Sequence, residues 1–224
     1  MGSVIDLTHP ISHGLVTDPR LPAVNVGEVW SRAASAKNYA PGVSFQIARV
    51  EFAQNTGTYV DCPWHRYDDG LGVWNFPLER FVDLPTVVVD VRDHIDAAGR
   101  IDDRTIASAA KPGRALLLCT GWSKHWGTDE YGSGRHPWIS GAAAQAIADK
   151  GVTLYGIDTL NADSFADKAR PVHSILLRAS IPIIENLTNV EDLLGRDVRL
   201  FAAPLPIEGL GSCPVRAFAI ARNR

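Results

Sequence analysis

Three apolar runs constrain the fold of this chain most. They are Leu84-Pro85-Thr86-Val87-Val88-Val89-Asp90-Val91, Ala115-Leu116-Leu117-Leu118-Cys119-Thr120 and Val152-Thr153-Leu154-Tyr155-Gly156-Ile157-Asp158. Each is short and nearly continuous in apolar residues, the pattern of a strand buried on both faces. Between the second and third lies a clear helix, Gly141 to Lys150, with Ser140 at its N-cap and Gly151 just past its end. Strand, helix, strand in that order predicts a parallel crossover within a sheet. No repeat, low-complexity tract or linker interrupts residues 1–224, so the expectation is a single α/β domain.

The remaining stretches fill in around that frame. Val4-Ile5-Asp6-Leu7 and Val24 to Trp30 read as strands, and the proline-containing segment between them as an ordered loop over a pocket. Ala33 to Pro41 is small and polar, a loop. Ser44 to Phe52 reads as strand with apolar residues on both faces, which calls for burial on both sides or a bulge near Ala48-Arg49. Asp102 to Ala110 and Pro171 to Ser180 read as helices, Val190 to Leu194 as a short one. Ile181 to Leu187, Leu200 to Pro206 and Val215 to Ala221 supply further strands, the last two separated by a Gly209-Leu210-Gly211-Ser212 turn.

Composition excludes several function classes. With a formal net charge of −3 the chain has no basic excess to track a phosphate backbone, so no nucleic-acid partner is expected. No apolar run reaches the roughly 18 residues of a membrane helix. Three widely spaced cysteines, Cys62, Cys119 and Cys213, argue against a disulfide framework and fit a reducing compartment. With no charged-then-apolar leader pattern, the expected location is cytoplasmic.

The chemistry concentrates first in Gln54-Asn55-Thr56-Gly57-Thr58-Tyr59-Val60-Asp61-Cys62-Pro63-Trp64-His65, where a carboxylate and an imidazole lie within five residues. If this piece is extended, Tyr59 and Asp61 share a face at a strand end. The plain alternative has Asp61 capping a turn and His65 on the surface. A second pair, His173 and Glu185, is split between a helix and a strand end. A glutamate directly after Ile183-Ile184 is costly unless paired or coordinated. Carboxylates with imidazole are what zinc or manganese takes, although a capping or salt-bridged Glu185 would also satisfy the pattern. Trp122, Trp126 and Trp138 could wall an aromatic substrate or simply pack. His9 and His13 read as loop surface, and Cys62 has no strong case as a nucleophile.

These blocks together resemble the cyclase family, which includes bacterial kynurenine formamidase and isatin hydrolase. The family's metal signature reads His-x-Gly-Thr-His-x-Asp-x-Pro-x-His, and this chain has Asn55-Thr56-Gly57-Thr58-Tyr59-Val60-Asp61-Cys62-Pro63-Trp64-His65. Val4 to Ile11, Cys119-Thr120-Gly121-Trp122, Gly156-Ile157-Asp158-Thr159 and Ile183 to Thr188 also resemble family blocks. The resemblance implies a swivelling β/β/α fold with mixed sheets. It also implies homodimers or homotetramers whose loops complete one another's sites. In two-metal members the first two of the three signature histidines serve one metal; here those two positions hold Asn55 and Tyr59. Carried over by position, Asp61, His173 and Glu185 keep the ligands of the other metal, and His65 keeps the proton donor and acceptor.

The resemblance therefore implies at most one divalent metal, zinc or manganese, and leaves a metal-free site open. The formamidase's aromatic contact in the opening loop is missing here, Asp18 standing nearest that position, which argues against kynurenine formamidase itself; Asn55, Asp18 and Trp122 are the expected substrate contacts. The activity implied is hydrolysis of an amide or lactone of a small molecule, with His65 shuttling the proton. Without metal, the same acids and bases would suit a cyclase or dehydratase working by proton transfer, with Tyr59 donating to an oxyanion. A non-catalytic binding protein on the same scaffold is the third reading.

Overall fold

The computed structural model describes residues 2–223. Its elements run β1 (Ser3–Asp6), β2 (Asn25–Trp30), α1 (Arg32–Ala36), β3 (Ile47–Glu51), β4 (Tyr59–Asp61), β5 (Leu84–Asp90), α2 (Asp103–Ala109) and β6 (Ala115–Cys119). There follow α3 (Gly141–Asp149), β7 (Leu154–Ile157), α4 (Pro171–Arg178), β8 (Ile183–Glu185), β9 (Asp197–Phe201), β10 (Ser212–Pro214) and β11 (Phe218–Arg222). Nine strands form one mixed sheet in the order β1-β11-β9-β5-β6-β7-β8-β4-β10, and β2 pairs only with β3. The three apolar runs are the parallel neighbours β5, β6 and β7, and α3 makes the crossover between the last two.

The sheet curls, and this produces the layers. Side chains from β9 and β11 near one end of the strand order (Val198, Leu200, Ala219) share one buried cluster with those from β4 and β10 at the other end (Val60, Cys213). Leu117, Leu154 and Ile184 from the middle strands fill the space between. The opposite face of the middle strands packs under α2, α3 and α4 through Ile106, Ala143, Ile147, Val172 and Leu176. Gly156 is required on the inner face, because a Cβ there would lie 2.5 Å from the Leu117 side chain. No helix among the described residues is long and apolar enough to cross a membrane.

Four expectations need correction. Residues 32–36 form a helical turn rather than loop, because Ser31 caps it by accepting from the Ala34 amide at 3.0 Å. Strand β3 is buried on neither face, all five residues being exposed. The irregularity in the pair lies on its partner, between Glu28 and Trp30, opposite Ala48 and Ile47. Residues 190–193 make a 3-10 turn. Ser212 is not in the turn but opens β10, where β4 provides a pairing partner that local sequence does not reveal.

Candidate active site

Strand β4 lies antiparallel between β8 and β10, and its register builds most of the site. Tyr59 stands opposite Glu185 and Pro214, and Asp61 opposite Ile183 and Ser212. Alternation puts Tyr59 and Asp61 on one face and Val60 on the other, in the core. Directly opposed side chains in an antiparallel pair touch. Accordingly the Tyr59 hydroxyl donates to Glu185 Oε2, and the Ser212 hydroxyl donates to Asp61 Oδ1. Asn55 adds a bond from Nδ2 to Asp61 Oδ1 at 3.2 Å. The other oxygen of Glu185 accepts from the Ala162 amide at 2.6 Å.

His173 arrives from α4. Asp163 fixes the start of that helix, its carboxylate accepting from the Val172 amide at 2.7 Å and the His173 amide at 3.2 Å. The same carboxylate takes the imidazole Nδ1 proton at 2.6 Å, which orients the ring. Nε2 then faces Asp61 Oδ2 at 3.4 Å and Glu185 Oε1 at 3.5 Å. All three side chains are buried, and Asp61 Oδ2 has no hydrogen-bond partner.

This donor set fits a divalent cation. Bonds of about 2.1 Å in a tetrahedron place ligand atoms roughly 3.4 Å apart, close to the two spacings measured from Nε2. A buried carboxylate oxygen with no partner is costly unless a cation or donor meets it. An imidazole whose second nitrogen is held by a carboxylate is the usual arrangement around a metal-binding histidine. Asp61, His173 and Glu185 could hold an ion together, each giving one atom within 4.8 Å of the others.

The electrostatics follow from the crowding. Burial pushes the Glu185 carboxyl up, and the Asp61 charge beside it adds to the shift, against the pull of His173. Burial also opposes ionisation of Asp61, but His65, His173 and Ser212 outweigh it and hold this carboxyl down. Burial, with the Glu185 and Asp61 charges, pushes the Tyr59 hydroxyl well above its ordinary range, in keeping with its donating to Glu185. Burial alone would lower His173, yet Glu185, Asp163 and Asp61 raise its imidazolium to about 9. A different contact opposes protonation there: Arg170 Nη2 lies 2.9 Å from Nε2. Arginine only donates, so the geometry as it stands is that of a neutral imidazole with its proton on Nδ1.

His65 stands at the rim. Its position depends on Gly211, where a Cβ would come within 2.3 Å of the His65 backbone nitrogen. Its Nδ1 is 2.9 Å from the Ser212 hydroxyl. That hydroxyl has one proton and gives it to Asp61, so His65 Nδ1 donates and Nε2 keeps the lone pair. The Asp61 charge would favour a protonated His65, but burial and the Arg170 and Arg66 cations, with His173 whenever it is protonated, outweigh it and lower the group.

A cavity of about 230 Å³ opens over this cluster, lined by residues that include Asp18, Arg20, Asn55, Tyr59, His65 and Arg170. The structure thus brings together Tyr59, Asp61, His65, His173, Glu185, Asn55 and Asp18. Asp18 is engaged by the Arg20 guanidinium. Trp122 is not among the lining residues; its indole donates to the Tyr131 carbonyl at 3.3 Å. A larger cavity, about 580 Å³ between Gly14, Thr17 and Pro19 on one side and Trp126 and Tyr131 on the other, takes in none of the clustered acids and bases. Trp138 donates to Ala98 O on another part of the surface. The three tryptophans therefore form no common wall. His9 is buried rather than on the surface, stacked on Trp126. Cys62 is buried in the core and its thiol is pushed up by burial, which removes it as a nucleophile.

Three contributors escape sequence reasoning: Ser212, Asp163 and Arg170. Asp163 carries no local signal either, because Arg170 and not Asp163 stands at the N-cap, and the loop between folds back to bring the carboxylate to the helix start. Ser212 depends on a pairing 151 residues away in sequence.

Known proteins place the chain. The family profile described as "Putative cyclase" matches residues 5–164. A kynurenine formamidase of Bacillus anthracis is 27% identical over 213 residues, covering 95% of each chain. Isatin hydrolase A from Labrenzia aggregata superimposes with a TM-score of 0.79 at 23% identity, over 97% of this chain and 93% of that one. A Bacillus stearothermophilus structure described as a predicted metal-dependent hydrolase gives a TM-score of 0.77 at 25% identity, over 99% and 100%. The chain belongs to the cyclase family.

Proposed function

We propose that this protein hydrolyses an amide or ester bond, cyclic or linear, in a small molecule. It does so with one divalent metal, zinc or manganese, held by Asp61, His173 and Glu185. The observation that carries the reading is the convergence of Asp61 Oδ2, His173 Nε2 and Glu185 Oε1, with Oδ2 buried and unpartnered. Such an ion, when bound, polarises a carbonyl and acidifies a water. The amide hydrolases among the relatives support the reaction class.

The chain's own groups supply the rest. Neutral His65, with its lone pair on Nε2 at the cavity rim, takes a proton and returns it to the leaving nitrogen or oxygen. Ser212 ties that ring to Asp61, so the base and a metal ligand keep a fixed relation. Asn55 and Asp18 on the cavity wall orient the substrate, while Tyr59 fixes Glu185. Exposed apolar side chains on the β2–β3 hairpin, Val26, Val29, Trp30, Ile47 and Val50, support a homodimer or homotetramer, which light scattering would measure. Three buried, unbridged cysteines fit a cytoplasmic location.

The test is a panel of aryl formamides, cyclic imides and lactones assayed with metal-loaded protein. His65→Gln should lower kcat by about 10²- to 10⁴-fold while metal content stays at one per chain. Unchanged turnover would remove His65 from the reaction. A second reading, metal-free proton transfer in a cyclase or dehydratase, draws support from the Arg170 cation on His173. Cyclisation by chelator-treated protein would favour it.

A further inference from the structure

The guanidinium of Arg170 has no place in the reaction just described, yet it touches the atom on which that reading rests. Arg170 precedes α4 with φ at +48°, a left-handed conformation that a non-glycine side chain seldom takes. Its Nη2 lies 2.9 Å from His173 Nε2, and its Nε lies 3.9 Å from Asp163 Oδ2. The Asp163 carboxylate is already occupied by two backbone amides and by the imidazole Nδ1. The short contact of Arg170 is therefore with the imidazole.

Arginine stays charged and carries no acceptor, so the bond uses the lone pair of Nε2. This is the same lone pair that a metal on Asp61, His173 and Glu185 would need. One lone pair cannot serve both. Repulsion between two cations in a buried site adds to the exclusion. Space for the side chain to leave exists on both sides. Arg170 lines the 230 Å³ cavity and also a smaller one, about 90 Å³, bounded by Asp163, Phe165, Asp167 and Lys168.

We propose that Arg170 is a tethered cation that competes with the metal for His173, closing the ligand set when the metal is absent and having to vacate Nε2 for the metal to bind. The proposal rests on the single-metal reading above. It makes metal loading weaker than the three ligands alone would give, and it ties loading to the position of one side chain.

The experiment is calorimetric titration of chelator-treated protein with zinc, repeated with cobalt to follow its visible absorption bands. It compares wild type with Arg170→Met and Arg170→Gln, which keep the length or the polarity without the charge. Thermal melting checks that each variant is folded. Arg178→Met is the control, since it removes one positive charge from the far end of α4, where Arg178 pairs with Asp69 away from the cavity. Both Arg170 variants should bind at least tenfold more tightly than wild type, with the control within twofold of wild type. Equal or weaker binding in the Arg170 variants, or equal tightening in the control, overturns the proposal and leaves the single-metal reading standing. No zinc or cobalt bound by any folded variant overturns both.

Discussion

Two buried imidazoles in this molecule behave in opposite ways. His173 has a carboxylate on Nδ1 and two more beside Nε2, and these acids push its pKa up to about 9 against burial and the Arg170 guanidinium that donates to Nε2. His9 lies flat on Trp126, ring centroids 3.9 Å apart, and its Nε2 meets no partner. Burial alone acts there and pushes His9 down to about 4. Depth is common to both; what differs is the second nitrogen's neighbour. The comparison teaches that a buried histidine becomes a candidate ligand through the acids around it and not through burial itself.

Removing the acids should break the comparison most sharply. Asp61→Asn should cost more than about 100-fold in zinc affinity, because loss of a mere orienting partner already costs 10–100-fold. His9→Phe should leave that affinity unchanged, and an effect of His9→Phe on zinc binding would collapse the distinction. Asp163→Asn removes the carboxylate that orients His173 without touching a ligand, and should weaken zinc binding by about 10- to 100-fold. Calorimetry reads both.

The other imidazole is tested by pH. The folded pKa of His9, about 4, lies below its ordinary 6.5, so the unfolded chain takes the proton first as pH falls. The stability due to neutral His9 is complete above about pH 6.5 and is lost as pH drops toward 4, the loss amounting to about 2 kcal/mol at pH 5. Urea midpoints should therefore fall further between pH 7 and pH 5 in wild type than in His9→Phe, which stacks without titrating. Equal falls would show that His9 is not held neutral. The smallest expected effect on metal binding is that of Tyr59→Phe, which deletes the hydroxyl's bond to the buried Glu185 and should cost about 1–3 kcal/mol in stability. One metal per chain should still bind.

Sequence reading carried the frame because the frame is local. The apolar run from Ala115 to Thr120 and the Ser140-capped helix declare themselves through period, cap and glycine stop, without reference to distant residues. The ligand set was legible only through resemblance to a family signature, since Asp61, His173 and Glu185 lie on three separate elements. Ser212 was unreadable, because its role comes from register with β4. Arg170 was unreadable for another reason: its meaning lies in a backbone angle and one contact to an imidazole three residues on. His9 and His173 look alike as letters, and only the structure shows which one the acids surround.

The most direct test is anomalous diffraction from crystals of zinc-loaded protein, collected on both sides of the zinc edge. One peak per chain, bonded to Asp61, His173 and Glu185 and absent from Asp61→Asn crystals, is the predicted result. A peak elsewhere with these three side chains unligated, or no peak at all after loading, would contradict the account.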